Sequence, residues 1–588
     1  MVFLNFLINF FLFTMSCIAV KNLQQSVAES PIVKLAKGIT HKSVYNGTGS
    51  VEYYSFNGIQ YGRVLDRFSP PAPICHKSFF KRCPKENPNI SKPRLSNNLP
   101  RGYPKCPQAI PDWMTFKNEK HLEKKSIKIP DNEVEDCLFL DVIVPKKVWD
   151  QTHDHSLQSF APVLVWIHDG GFTSGSRILH EDPSILLKRS LEIHGEGTII
   201  VSMNYRLGLF GFLASERYPS DKDSYSNVGL LDQRMALGWV EKHIVKFGGD
   251  RFRITVVGEG AGAGSIMHHL TAPNITRHFF PRLHAKSHFR RNFPFQSAIL
   301  KSPTFQPIVP SQLAVIVTQI LEKASTVKGQ LLNRISKLHE LPYETLYSLN
   351  LAMVRESPHG TFTFGPAVDY TKDHRSYVPD FPLRRIKAGQ MAKSINILVG
   401  YRRNEGYYIT PSSMKTDLGF RDHMARIFPT IMRNEIAYVS ESLYPIQDYE
   451  SMDQGGMNRS IEALSDLFTI CNIHYLLLHM VQSYGFVLET SLASREHFLK
   501  RALMADSMIY MNDSKTQSKP NWLQDMFLRF AMFASLGAEE ARVRPYDGNA
   551  KVLLASDDGF QGFINDPSAK YQCRYWADAP YGIAPPDK

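Results

Sequence analysis

An α/β fold with a mostly parallel central sheet flanked by helices is predicted for this chain by two observations. Short, mostly apolar runs recur along it, as strands buried on both faces require, and stretches with helical spacing alternate with them. In order, Pro162–Ile167 gives a first buried strand, Thr198–Met203 a second and Arg253–Val257 a third. Between the last two, Leu230–Phe247 has apolar residues at helical spacing and stops at Gly248-Gly249. Gly258-Glu259-Gly260-Ala261-Gly262 follows the third strand, then a helix-like Ser265–Leu270. Gln296–Leu300 and Ile395–Val399 repeat the strand pattern, and from Ile461 onward the chain reads mostly helical. At about 150 residues per domain, 588 residues would suggest roughly four domains. With no internal repeat, low-complexity tract or Gly/Ser linker, one large domain over residues 21–588 is expected instead.

Composition narrows the function classes. With 43% hydrophobic and 21% charged residues the chain is not of disordered, collagenous or coiled-coil type. Val2–Met15 is mostly apolar and uncharged, followed by small residues, so residues 1–20 read as a secretory signal peptide. Its length is short for a membrane anchor. Seven cysteines are present; losing Cys17 with the signal leaves six, suited to three disulfides in an oxidising compartment. Sequons at Asn46, Asn89, Asn274, Asn458 and Asn512 agree with a secreted, extracellular glycoprotein. No run beyond the signal reads as a membrane span.

Several segments carry a more specific signal. Phe56-Asn57-Gly58-Ile59-Gln60-Tyr61 with Asp66-Arg67-Phe68 resembles the opening of the type-B carboxylesterase and cholinesterase family. Glu135-Asp136-Cys137-Leu138-Phe139-Leu140-Asp141-Val142 is similar to its second signature. Asn227–Gln233, Phe247-Gly248-Gly249-Asp250 and Phe364–Asp369 are similar to later segments, and the matches run in order from about Val51 to Trp576. The resemblance implies the α/β-hydrolase fold, and a serine, histidine and acid acting together on esters.

The triad does not survive the transfer. Gly260 stands where the family has its nucleophilic serine, and a hydrogen side chain cannot attack a carbonyl. Ser265, five residues on, matches an ordinary helix position. Gly400–Gly406 resembles the acid segment and makes Glu405 the third member, read here as a buried carboxylate satisfied by backbone donors. Met504, opening Met504–Tyr510, takes the histidine position; His497 lacks the trailing Asp and Tyr and reads as an exposed helical histidine. His168-Asp169-Gly170-Gly171-Phe172 resembles the family's His-Gly-Gly-Gly-Phe, so the N–H groups of Gly170, Gly171 and Ala261 would form the oxyanion hole. The glycines could equally serve backbone packing alone. Asp169 puts negative charge where negative charge would have to develop. Glycine suits the strained nucleophile position, where a residue with a Cβ costs roughly 1 kcal/mol or more.

The resemblance also assigns Cys106–Cys137 and Cys471–Cys573 as disulfides, and we infer that the leftover Cys75 and Cys83 pair in an unmatched insertion. No metal site and no cofactor are expected. Charge is uneven: residues 76–128 carry net +9 and residues 277–291 net +5, out of +12 for the chain, which leaves a scaffold at −2. The basic insertions around 75–128 and 277–291 suggest an anionic partner such as a sulfated glycan or an acidic protein face, with nucleic acid disfavoured by secretion. The expectation is a non-catalytic, secreted protein acting in adhesion, matrix or partner recognition, with a dimer possible. The alternatives are a hydrolase with an altered site and a carrier of a small apolar ligand in the gorge.

Overall fold

The computed structural model describes residues 30–36, 38–47, 51–74, 86–93, 104–115, 128–153, 160–178, 182–214, 225–273, 293–306, 308–369, 376–429, 431–449, 455–489, 522–536, 544–547, 549–556 and 559–578. Residues 1–20, the Cys75/Cys83 pair, most of 76–128, all of 277–291, Asn274, Asn512, His497 and Met504 lie outside them.

The described residues form thirteen strands: β1 (Ile32–Ala36), β2 (Ile39–Lys42), β3 (Val44–Asn46), β4 (Tyr53–Gln60), β5 (Phe139–Pro145), β6 (Ala161–Ile167), β7 (Ile199–Met203), β8 (Gly249–Glu259), β9 (Ser297–Lys301), β10 (Asn396–Arg402), β11 (Ser483–Glu489), β12 (Lys551–Ser556) and β13 (Gly559–Asn565). β1 and β2 form a separate hairpin; the other eleven make one sheet in the order β13-β12-β11-β10-β9-β8-β6-β7-β5-β4-β3. The seven strands from β12 to β7 pair in parallel, and antiparallel strands close both edges. Every residue of β6, β7 and β9 is buried, which is why those runs carry no polar alternation.

β8 is longer than its apolar run predicts, because its first residues reach toward solvent before the buried Ile254–Gly258. The expectation of a mostly helical chain after Ile461 is corrected: β11, β12 and β13 all lie there. Short buried strands such as Tyr484–Leu488 cannot be told from buried helix by periodicity alone. One helical run in this region, Gly455–His479, does meet the length and hydropathy of a membrane span, contrary to the sequence reading, but 78% of its apolar window is buried inside the fold.

Both faces of the sheet are covered. Trp166, Val257, Leu398 and Phe486 pack against the helices Ser184–Ile193 and Trp522–Phe533 on one face. The larger core lies on the other, under Val228–His243 and Ala261–Thr271. Motif residues from the sequence serve the scaffold as buried ion pairs: Arg67 Nε to Glu135 at 2.6 Å, Arg206 Nη2 to Asp232 at 2.8 Å and Arg177 Nε to Asp141 at 2.9 Å. Disulfides close Cys106–Cys137 and Cys471–Cys573. The second takes up the two cysteines that, with Asp466, bring metal-ligand residue types within 4.8 Å of one another. Of the sequons, Asn89 and Asn458 are exposed. The Asn46 amide nitrogen, the atom a glycan would take, donates to Val44 O and Ser55 Oγ at 3.1 Å each.

Candidate functional site

The carboxyl ends of β6, β8, β9 and β10 meet side by side. Ile167 lies opposite Gly258, Glu259 opposite Lys301, and Lys301 opposite Gly400. Open parallel sheets place their sites at such an edge.

β8 turns directly into the helix Ala261–Thr271 at Gly260, whose backbone takes φ 52° and ψ −119°. Glycine on either side of the turn permits the helix to seat on the sheet: a Cβ on Gly262 would lie 2.1 Å from Ile167 O, and one on Gly258 2.5 Å from Gly262 C. The Gly260 peptide is held from both sides, its N–H donating to Lys301 O at 3.1 Å and its carbonyl accepting from Thr304 N at 3.1 Å.

What fills the space above Gly260 is Asp169. A Cβ built on Gly260 would stand 2.3 Å from Asp169 Oδ2, 2.4 Å from its Cγ and 2.4 Å from Oδ1. The carboxylate thus occupies the position from which a side chain at 260 would start. It is held there by the N–H groups the sequence assigned to an oxyanion: Ala261 N donates to Asp169 Oδ1 at 2.8 Å and Gly171 N at 3.4 Å. Burial pushes this carboxyl up to about 6, helped by the charge of Glu259 and opposed by the Ala261, Gly170 and Gly171 donors. Gly170, Gly171 and Ala261 are therefore brought together, but around an anion supplied by the chain itself.

The other sequence-assigned residues fall as follows. Glu405 is held by Ser302 Oγ at 2.5 Å and by Arg402 N at 2.7 Å, both donating to Oε1; burial raises its pKa despite these donors. Ser265 is fully buried and accepts from Gln233 Nε2 at 3.0 Å, so it packs and does not face the site. His168 stacks on Tyr205 with ring centroids 4.3 Å apart, and burial lowers its pKa to about 4, which keeps it neutral. No histidine is among the described residues that line the pocket.

That pocket encloses about 1200 Å³ counting its mouth. Trp113, Phe172, Phe305, Phe362, Phe364 and Phe468 supply its aromatic wall, and Asp169, Gly260, Ser302 and Glu405 its floor. Sequence reasoning missed Glu259, Lys301 and Arg402. Lys301 Nζ pairs with Glu259 Oε2 at 2.9 Å, while Glu259 and Arg402 line the pocket. Only strand pairing brings these residues together, so no linear spacing signals them. Asp169 did carry a signal: an acid within a glycine-rich turn, in a chain with glycine at position 260.

A model of the carboxylesterase family matches residues 29–499, most of the chain. The chain belongs to the carboxylesterase family. It is 33% identical over 455 residues to carboxylesterase patB of Penicillium expansum, covering 76% of this chain and 75% of that protein. It is also 26% identical over 421 residues to the inactive carboxylesterase-like protein VdtD of Byssochlamys spectabilis, covering 69% of this chain and 63% of that one. Among solved structures, Aspergillus niger EstA superimposes with a TM-score of 0.67 at 20% identity, over 95% of this chain and 100% of that one, a likeness of fold. The α/β-hydrolase fold implied by the sequence resemblance is the fold observed.

Proposed function

We propose that this carboxylesterase-family protein does not turn over esters and acts by binding. The observation that carries the proposal is the Asp169 carboxylate, seated over Gly260 and bonded to Ala261 N and Gly171 N. Acyl transfer needs an attacking oxygen and free donors for the tetrahedral oxyanion. Here the first has no side chain to come from, and the second already holds a negative charge. A relative bearing the name inactive carboxylesterase-like protein supports the reading, while the carboxylesterase relatives make it a claim about this chain's own site.

The aromatic pocket is the binding surface the geometry favours, which makes a small apolar or amphiphilic ligand the first reading. Apolar walls with a few convergent polar groups are the usual form of a small-molecule site. A second reading, recognition of an extracellular anionic partner by a secreted glycoprotein, rests on the net +9 and net +5 sequence segments. Purified protein assayed with 4-nitrophenyl butyrate and with an environment-sensitive apolar dye tests the proposal. We expect no turnover above a heat-killed control, and saturable dye binding that Gly365→Trp, which fills the pocket beside Phe172, abolishes. Ester turnover overturns the non-catalytic reading, and dye binding unaffected by Gly365→Trp overturns the pocket reading.

A further inference from the structure

The chemistry of the pocket floor specifies what part of a ligand can rest there. In an ester-cleaving site the N–H groups at this point donate to an oxyanion, so the floor prefers an acceptor. In this chain the same N–H groups are consumed by Asp169. An ionised carboxylate offers about four acceptor positions, and among the described residues three backbone donors, from Gly170, Gly171 and Ala261, address this one. Those three donors leave one acceptor position among the described residues, and Asp169 lines the cavity. The other charged groups lining it are Glu259, Glu405 and Arg402, three carboxylates in all to one guanidinium. Glu259 is neutralised by Lys301, and Glu405 is engaged by Ser302 and Arg402 N. Asp169 is therefore the carboxylate best placed to meet a ligand.

We propose that the site has been inverted from an acceptor of oxyanions into an acceptor of hydrogen-bond donors, and that its ligand is an amphiphilic primary amine whose ammonium group rests on Asp169 and whose apolar body lies against the aromatic wall. The inference rests on the binding reading above. A charge-assisted N⁺–H···O⁻ bond is about twice as strong as a neutral one, and the aromatic faces add cation–π attraction along the path. The requirement for a donated hydrogen separates this class from quaternary ammonium compounds, which carry charge but no N–H.

Calorimetric titration of the full-length protein at pH 8 with 2-phenylethylamine, 2-phenylethanol, trimethyl(2-phenylethyl)ammonium and 3-phenylpropanoate tests the proposal. The amine is expected to bind at least tenfold more tightly than the isosteric alcohol and the trimethyl compound, and the carboxylate weakest of the four. In Asp169→Asn, which keeps an oxygen for Ala261 N, the amine should fall to within about threefold of the alcohol. Equal affinities of amine and alcohol in the unmodified protein overturn the inversion without touching the binding reading. Tighter binding of 3-phenylpropanoate overturns it in favour of Arg402, and a preference that survives Asp169→Asn assigns it to Glu259 or Glu405. Failure of all four probes together with the apolar dye overturns the binding reading itself.

Discussion

Placing a serine at position 260 tests the description of the site as a plugged one. A side chain there must start 2.3–2.4 Å from three atoms of the Asp169 carboxylate and at φ 52°. The backbone conformation alone costs about 1–2 kcal/mol for a residue with a Cβ. Forcing Asp169 aside adds an overpacking cost of about 1–3 kcal/mol. G260S should therefore destabilise the protein by about 2–5 kcal/mol. Asp169→Gly removes the overlap but leaves Ala261 N and Gly171 N without their acceptor, at about 1 kcal/mol each. In that background G260S should cost only the backbone strain, so the two changes couple by about 1–3 kcal/mol of rescue. Urea denaturation of the four members of the cycle measures this directly. Additivity within about 0.5 kcal/mol would refute the steric account, because the two positions would then not share the space assigned to them.

Two further predictions follow from the buried charges. Burial raises Asp169 from 3.8 to about 6, so the fold favours its protonated form and stability declines as pH climbs between those values, by up to about 3 kcal/mol. Because Glu405 and Asp466 are also raised by burial, the quantity to follow is unmodified protein minus Asp169→Asn, by urea denaturation from pH 4 to pH 7. That difference should fall with pH, and parallel curves would show that Asp169 carries no such shift. Asp232→Ala should leave the Arg206 guanidinium buried and unpaired and cost about 3–5 kcal/mol, read as a lowered denaturation midpoint.

The parts legible in the sequence are those governed by local pattern. The mostly apolar runs of β6, β7 and β9 are placed to within about a residue by their composition, since strands buried on both faces are built largely of apolar residues. The glycine spacing at 258, 260 and 262 marks the turn from β8 into the helix Ala261–Thr271 for the steric reason the structure displays, a helix backed onto a strand. The parts that were not legible depend on pairing across the sheet. Lys301 meets Glu259, and Ser302 meets Glu405, because β9 lies between β8 and β10, which no spacing along the chain reveals. Asp169 stands between the two cases. Its charge is visible in the sequence as an obstacle to catalysis, but only the fold turns its side chain across to Ala261 and over Gly260. The late strands β11 to β13 were lost among helices because short buried runs carry no period of their own.

The central claim is that the site has no nucleophile and no free oxyanion donors. Intact-mass spectrometry of the purified protein after prolonged exposure to a fluorophosphonate, with peptide mapping of any product, addresses it most directly. The account predicts an unchanged mass under conditions that fully label an active serine esterase. A stoichiometric adduct on any residue lining the pocket, Ser302 included, would contradict it.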